Sequence, residues 1–382
     1  MENRIYDYWA ATLQDGYIGN LVEIVNRAGG ARSLYEMPEG QLRLLPDITD
    51  KLADYIIERR IDPGLIERNY MKMSMNGICY VNHGDDDFPR KLLSIPSTPY
   101  GLFVKGSLPD PGRRTVAIVG ARQCSEYGRL MAEYLGSRLA KEGIDIISGM
   151  AWGIDGIAQS AAIEAGGRSY AVLGCGADIP YPAKNRSLYN SLCIPDNGII
   201  SEYAPGTKAI ARLFPPRNRI ISGLCDVLIV VEARKRSGTL ITADLAVDQG
   251  KCIMIVPGRL TDNLSTGCLN LLSQGAIPVT GIESVLEQLA VNEQLALPVA
   301  MPNKKRVRTG PVRSISLVTN EIPGELQRIA SVLTLEPQSV EAIAGKAGVE
   351  VDAAMIMLTK LELEGSAREI WPGYFVENAS VS

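Results

Sequence analysis

The chain has 382 residues, which is enough for two or three domains with sizeable cores. Hydrophobic residues make up 46%, charged residues 21% and the formal net charge is −4, as is typical of a soluble globular protein. The single histidine, His83, excludes a multi-histidine metal site and argues against a Ser-His-Asp triad. Because no apolar run reaches membrane-spanning length, the start lacks a signal-peptide layout and the seven cysteines form no CxxC pair, we expect a cytoplasmic protein.

Residues 1–68 predict a small helical domain. Apolar residues recur at spacings of three and four after Gly19–Asn20 and again over Ile48–Arg60, so each helix has one buried face. The helix, glycine turn, helix pattern is compatible with a SAM-like or helix-hairpin-helix module. Any small helical cap would show a similar pattern.

Residues 69–290 predict an α/β domain. A connecting segment with two strands, Gly77–Val81 and Tyr100–Val104, precedes repeated strand, glycine-rich turn and helix units from Thr115 onward. Apolar runs without alternation are typical of strands covered on both faces, and the intervening helices are the expected crossovers. The predicted fold is a doubly wound, Rossmann-type parallel sheet. Its strands are Val116–Val119, Ile144–Ile147, Ser169–Leu173, Gly198–Ser201, Val227–Val231, Ile253–Val256 and Ile277–Val279.

Residues 291–322 predict a flexible linker that contains a basic run, Lys304–Arg308. Residues 323–378 predict a winged helix, because three helical segments precede two short strands. Between Glu325 and Glu377 this module holds four basic residues against nine acidic ones. Since DNA-binding modules are usually basic, we expect this winged helix to contact protein rather than DNA.

Ligands of open α/β sheets bind outside the carboxyl ends of the strands, and arginine or lysine follows five of the six main strands here. This distribution predicts a phosphate-binding rim. Arg122 alone could equally be a helix-packing residue, and Asp155 could simply cap a helix. The glycines, polar groups and tyrosine expected to shape the pocket are Gly120, Gly149, Gly153, Asp155, Gly174, Gly176, Tyr181, Asn185, Glu202 and Glu232.

The stretch Phe214–Ile221, FPPRNRII, is the most basic part of this rim. Seven basic residues and two acidic ones lie between Ala204 and Arg236, although the whole chain is acidic. A solvated basic loop is the simplest interpretation of such a run. Its position after the fourth strand favours a second one, in which Arg217 and Arg219, held by two prolines, bind phosphates. Several phosphates along a groove with interspersed aromatic rings favour a single-stranded polynucleotide.

The motifs VAIVGAR, SGMAWGID, AVLGCGADIPYPAKN, GIISEY, FPPRNRIISGL and VVEARKRSGTLITA together resemble the DNA-processing family called DprA or Smf. The resemblance covers most of residues 75–290. Two positions depart from the family pattern, since Gln159 stands where the family usually has histidine and Ala121 where it usually has serine. Both departures weaken a catalytic interpretation of those positions and leave Arg122 intact.

The resemblance implies a homodimeric protein, not an enzyme, without a nucleotide cofactor, a metal or catalytic residues. It implies that the Rossmann-type domain binds single-stranded DNA, protects incoming strands in natural transformation and helps load the RecA recombinase. Glu202 is expected to orient arginines, and Asn218 to shape the pocket beside the DNA. The residues predicted to contact DNA are Arg122, Lys184, Phe214, Arg217, Asn218, Arg219, Ser237, Gly238 and Thr239.

Two other functions compete with this one. The chain is similar at the level of its fold to LOG-family enzymes that act on nucleoside monophosphates, in which case Glu202 or Glu232 would be the general acid or base. It lacks the Gly-Gly-Gly-Thr loop of that family. A scaffold whose basic rim binds an acidic protein is the third possibility.

Overall fold

The structure, a computed structural model, describes residues 2–16, 21–295, 324–334, 337–371 and 373–377. The chain divides into two compact units, residues 1–289 and 290–382, and each has an apolar core of its own. Among the described helices, none combines the length and the apolar character needed to cross a membrane. Most of the predicted linker, from residue 296 to residue 322, lies outside the described residues.

The first unit begins with short helices that have side-chain caps where the sequence supplies them. The hydroxyl of Thr49 and the carboxylate of Asp62 accept the backbone N–H groups of Leu52 and Leu65 at the starts of the last two. The final helix runs across residue 68, so the helical region continues to Met75; the SAM-like identity stays a prediction. The helices are α1 (Glu2–Thr12), α2 (Leu21–Arg27), α3 (Ala31–Glu36), α4 (Glu39–Leu42), α5 (Asp50–Glu58) and α6 (Pro63–Met75).

The described strands of this unit form one sheet. They are β1 (Ile78–Asn82), β2 (Gly101–Gly106), β3 (Thr115–Val119), β4 (Asp145–Ser148), β5 (Ser169–Leu173), β6 (Gly198–Ser201), β7 (Val227–Val230), β8 (Cys252–Ile255) and β9 (Ile277–Pro278). The spatial order is β1-β2-β6-β5-β4-β3-β7-β8-β9, and all neighbours from β6 to β9 are parallel. The strands β4, β5 and β6 thus lie on one side of β3, and β7, β8 and β9 lie on its other side. The strand order reverses between β3 and β7, which creates a topological switch point there.

Helices cover the sheet, and every residue of β3 to β7 is buried. This is the burial that uninterrupted apolar runs predict. The helices are α7 (Arg90–Leu93), α8 (Glu126–Lys141), α9 (Ile154–Glu164), α10 (Arg186–Leu192), α11 (Phe214–Leu224), α12 (Gly238–Asp248), α13 (Thr266–Ser273) and α14 (Ile282–Leu295). The predicted doubly wound α/β fold is confirmed, and β1 and β2 extend it as antiparallel strands.

The stretch Phe214–Ile221 is helical, so its interpretation as a basic loop is wrong. It forms the first two turns of α11, and both prolines lie in the first turn, where the missing N–H has no intrahelical partner to lose. Ile220, Ile221 and Leu224 then pack into the core beneath the sheet. The prolines start a buried helix instead of stiffening an exposed segment.

The second unit is a winged helix, as predicted. Its helices are α15 (Gly324–Val332), α16 (Val340–Ala347) and α17 (Val351–Leu363), and its strands are β10 (Gln338–Ser339), β11 (Ala367–Trp371) and β12 (Tyr374–Glu377). The three strands form an antiparallel sheet in the order β10-β12-β11. Ile329, Ile343, Leu358 and Phe375 fill its core.

Candidate functional site

A cavity of about 430 Å³ opens at the carboxyl edge of the sheet, where β3 and β7 diverge. It is the place where open α/β sheets bind their ligands. The turn after β3, the start of α11 and the start of α12 supply most of its lining. Predicted site residues in its lining are Gly120, Arg122, Asp155, Tyr181, Phe214, Arg217, Asn218, Ser237, Gly238 and Thr239.

Two exposed cations stand at this edge against aromatic rings. The guanidinium of Arg122 lies 5.9 Å from the centroid of Phe214, and the ammonium of Lys184 lies 4.9 Å from that of Trp152. In the part of the chain that the structure describes, neither cation forms an ion pair with a carboxylate. Both charges are therefore available to an anionic ligand.

Aromatic rings are exposed beside these cations. Tyr181 is 42% exposed and its ring centroid lies 5.5 Å from that of Phe214, while Trp152 is 48% exposed. The sequence prediction included Tyr181 and Phe214 but missed Trp152. Its position between the second predicted strand and Gly153, in a turn on the ligand-binding edge, was the available indication.

Arg217, whose contact with DNA stays a prediction, is buried in the wall of the cavity. The residue is 4% exposed, and its guanidinium donates hydrogen bonds to the carbonyls of Gly149 (3.2 Å) and Val172. Burial lowers the pKa of Arg217 to about 10, and the neighbouring carboxylate of Asp155 opposes this shift. Arg217 thus forms part of the cavity wall while its guanidinium ties α11 to the ends of β4 and β5.

Arg219, also a predicted DNA contact, is buried as well. Its guanidinium makes a bidentate ion pair with Glu202, with N–O distances of 2.6 and 2.8 Å. It also donates to the carbonyl of Ser97 at 2.9 Å. This pair lies in the interior and joins α11 to the end of β6.

Asp155 holds the turns on either side of the cavity together. Its carboxylate accepts the backbone N–H groups of Gly120 (3.3 Å) and Gly149 (3.1 Å), so it connects the ends of β3 and β4 to the start of α9. Burial raises the pKa of Asp155, and the guanidinium of Arg217 opposes the rise. A side chain at Gly149 would meet both charged groups at 2.8 Å, which explains a glycine there.

Amide side chains fix the turn after β4. Nδ2 of Asn185 donates to the carbonyls of Met150 (3.0 Å) and Ala151 (3.1 Å). Gln159, the departure from the family pattern, is fully buried; it accepts the N–H of Met150 at 3.0 Å and donates to the hydroxyl of Ser169 at 3.1 Å. Its role in this chain is to connect β4 with β5.

Two further glycines, both just after β5, leave room for neighbouring groups. A side chain at Gly174 would meet the ring of Phe214 at 3.0 Å, and one at Gly176 would meet the backbone of Gly206 at 2.9 Å. Gly174 thus lets the phenyl ring lie close to the end of β5. Among the described residues, no cluster of His, Cys, Asp or Glu is suited to hold a metal ion.

Glu232 lies outside the cavity lining. It accepts the backbone N–H of Ser125 at 2.9 Å and the hydroxyl of the same residue, and so holds the residue that caps α8. Ser237 caps α12 by accepting the N–H of Thr239 at 3.2 Å. The first turn of α12 borders the cavity, and the partial positive charge of a helix start favours an anion there.

Comparison with known proteins is consistent with this architecture. The profile of a family described as "DNA recombination-mediator protein A" matches residues 79–290, and one described as "DprA winged helix domain" matches residues 319–370. The DNA processing protein DprA of Streptococcus pneumoniae is 39% identical over 251 residues, which cover 64% of this chain and 86% of that protein. Protein Smf of Escherichia coli is 36% identical over 307 residues, covering 78% of this chain and 79% of that protein.

A solved structure extends the comparison to three dimensions. The X-ray structure of DNA processing protein A from S. pneumoniae matches with a TM-score of 0.65 at 33% identity, and the match covers 75% of this chain and 97% of that one. The family profile alone covers more than half of the chain. The chain therefore belongs to the DprA family of DNA recombination mediators, whose members are also named Smf.

Proposed function

We propose that this chain binds single-stranded DNA along the carboxyl edge of its sheet, protects incoming strands in natural transformation and helps load RecA onto them. It acts as a cytoplasmic homodimer and not as an enzyme. Family membership supports the general role as a recombination mediator. The site itself supports the choice of ligand.

The observation that carries the proposal is the pairing of exposed cations with exposed rings at one rim. Arg122 and Lys184 are free of carboxylate partners among the described residues, and the exposed rings of Tyr181 and Trp152 and the half-buried ring of Phe214 lie beside them. Single-stranded DNA presents phosphates and unpaired bases in alternation, so it can use both kinds of group. Duplex DNA keeps its bases stacked inside.

The positions of Glu202 and Glu232 argue against the general acid or base role that the enzyme alternative requires. Glu202 has both oxygens bonded to Arg219, and Glu232 has both bonded to Ser125. Neither residue is part of the cavity lining. A general acid or base must reach the proton that it transfers, and these carboxylates are held by structural partners.

For the winged helix we propose a protein contact. The excess of acidic over basic residues between Glu325 and Glu377 gives it a charge that repels phosphates. The same charge favours a basic partner surface.

The test of the proposed function is replacement of Arg122 by methionine, which keeps an apolar stem over Phe214 and removes the charge. We expect roughly tenfold weaker binding of a labelled single-stranded oligonucleotide, because one charge-assisted contact of about 1.5 kcal/mol is lost. The slope of log K against log salt should flatten by about 0.7, the value for one phosphate of a single strand. Thermal stability should not change, since Arg122 is exposed.

The matched control is Arg90→Met. Arg90 is also exposed, but it lines a separate cavity beside Thr115, at the amino-terminal start of β3. Its replacement should leave the affinity and the salt slope unchanged. Unchanged binding in Arg122→Met, or an equal loss in Arg90→Met, would contradict the proposed site.

A further inference from the structure

Trp152 and Lys184 form a pair directly beyond the rim of the cavity. The ammonium nitrogen of Lys184 lies 4.9 Å from the centroid of the indole, which is 48% exposed. Both residues continue segments that line the cavity: Ala151 precedes Trp152, and Tyr181 lies three positions before Lys184. The pair is therefore an extension of the cavity wall on the β4–β5 side.

The turn that carries Trp152 is held firmly from two sides. Asn185 bonds to the carbonyls of Met150 and Ala151, as described above. On the other side Gly153, with a φ of 83°, packs so closely on the carbonyls of Ala121 and Arg122 that no side chain would fit. A ring presented on a fixed turn loses little conformational entropy when it binds a ligand.

The chemistry of this pair selects its ligand. Isolated exposed aliphatic side chains, such as Leu44 and Met75, are common on soluble proteins and have no single meaning. An exposed indole beside a cation that lacks a carboxylate partner among the described residues is a different case, because it joins a flat apolar face to a positive charge. A nucleobase with its phosphate presents the complementary pair of groups, a π-face and an anion.

We propose that Trp152 and Lys184 form a second nucleotide subsite outside the cavity. A base stacks on the exposed face of Trp152, and Lys184 binds the adjoining phosphate. The DNA path then continues from the cavity across the turn after β4. This inference rests on the proposed function, since it names an additional contact for the same single strand.

Replacement of Trp152 by alanine tests the stacking contact. We expect roughly tenfold weaker binding of a labelled oligothymidylate of 15 nucleotides, within the range measured for the loss of one aromatic–base stack. Trp152→Tyr should retain most of the affinity because it keeps a ring. Leu44→Ala, which removes a side chain that is even more exposed (83%) from the helical region, should have no effect.

An abasic oligonucleotide of the same length separates stacking from charge. The wild-type chain and Trp152→Ala should bind this ligand with equal affinity, because it has phosphates but no bases. Lys184→Ala should weaken binding of both ligands and flatten the salt slope by about 0.7. If Trp152→Ala lost affinity equally for the abasic ligand, the stacking role would be overturned.

Tryptophan fluorescence gives an independent readout, since the chain has three tryptophans and Trp9 is buried. Oligothymidylate should quench the emission of the wild-type chain, and the quenching should be largely absent in Trp152→Ala. If Trp152→Ala bound oligothymidylate as tightly as the wild-type chain and its fluorescence were quenched to the same extent, the second subsite would be overturned and the proposed function would remain intact. Absence of binding by the wild-type chain would overturn both.

Discussion

Replacing Arg219 by alanine is expected to lower the free energy of unfolding by about 3–5 kcal/mol, the usual cost of removing one partner from a buried ion pair. Arg219 and Glu202 have side chains only 8% and 3% exposed. The substitution would leave the Glu202 carboxylate without a cation in the interior, and the carbonyl of Ser97 without a donor. Urea denaturation followed by tryptophan fluorescence measures the loss.

The double variant Glu202→Leu with Arg219→Met is the control for this interpretation. Apolar replacement of both partners removes the uncompensated charge, so the double variant should be more stable than Arg219→Ala. Arg212→Ala, at an exposed position two residues before α11, should change the stability by less than about 0.5 kcal/mol. A stability of Arg219→Ala equal to that of the wild-type chain would contradict the structural role of the pair.

The fold could be predicted from the sequence because its main determinants are local. Uninterrupted apolar runs such as Ser169–Leu173 and Gly198–Ser201 form strands with the predicted bounds, and both are completely buried. Glycine-rich turns between such runs and amphipathic helices leave few other arrangements. The winged helix followed from the same kind of pattern.

The burial of Arg217 and Arg219 could not be predicted in the same way. A count of charges treats basic residues as exposed. Arg217 is instead buried, and its guanidinium donates hydrogen bonds to the carbonyls of Gly149 and Val172. Those partners lie 68 and 45 residues away along the chain, so no local pattern indicates them. A local indication of the helix did exist, since Ile220, Ile221 and Leu224 follow the two prolines at helical spacing.

Arg122 is exposed and Arg217 is buried, so replacement by methionine should have different effects on stability and on DNA binding at the two positions. Arg217→Met is expected to lower the free energy of unfolding by about 3–5 kcal/mol, because it leaves the carboxylate of Asp155 buried without its cation. The carbonyls of Gly149 and Val172 would also lose their donor. Arg217→Lys should recover only part of this loss, since one ammonium cannot reproduce the geometry of a guanidinium.

Binding measurements then distinguish a positioning arginine from one that contacts DNA. At a temperature where Arg217→Met remains folded, its affinity for a single strand should fall because the cavity wall shifts. The slope of log K against log salt should nevertheless equal that of the wild-type chain, since no phosphate contact is removed. Arg122→Met should show the opposite combination, with unchanged stability and a flatter slope. A flattened slope in Arg217→Met would mean that its buried guanidinium does meet a phosphate, and the assignment of Arg217 to the wall of the cavity would then be wrong.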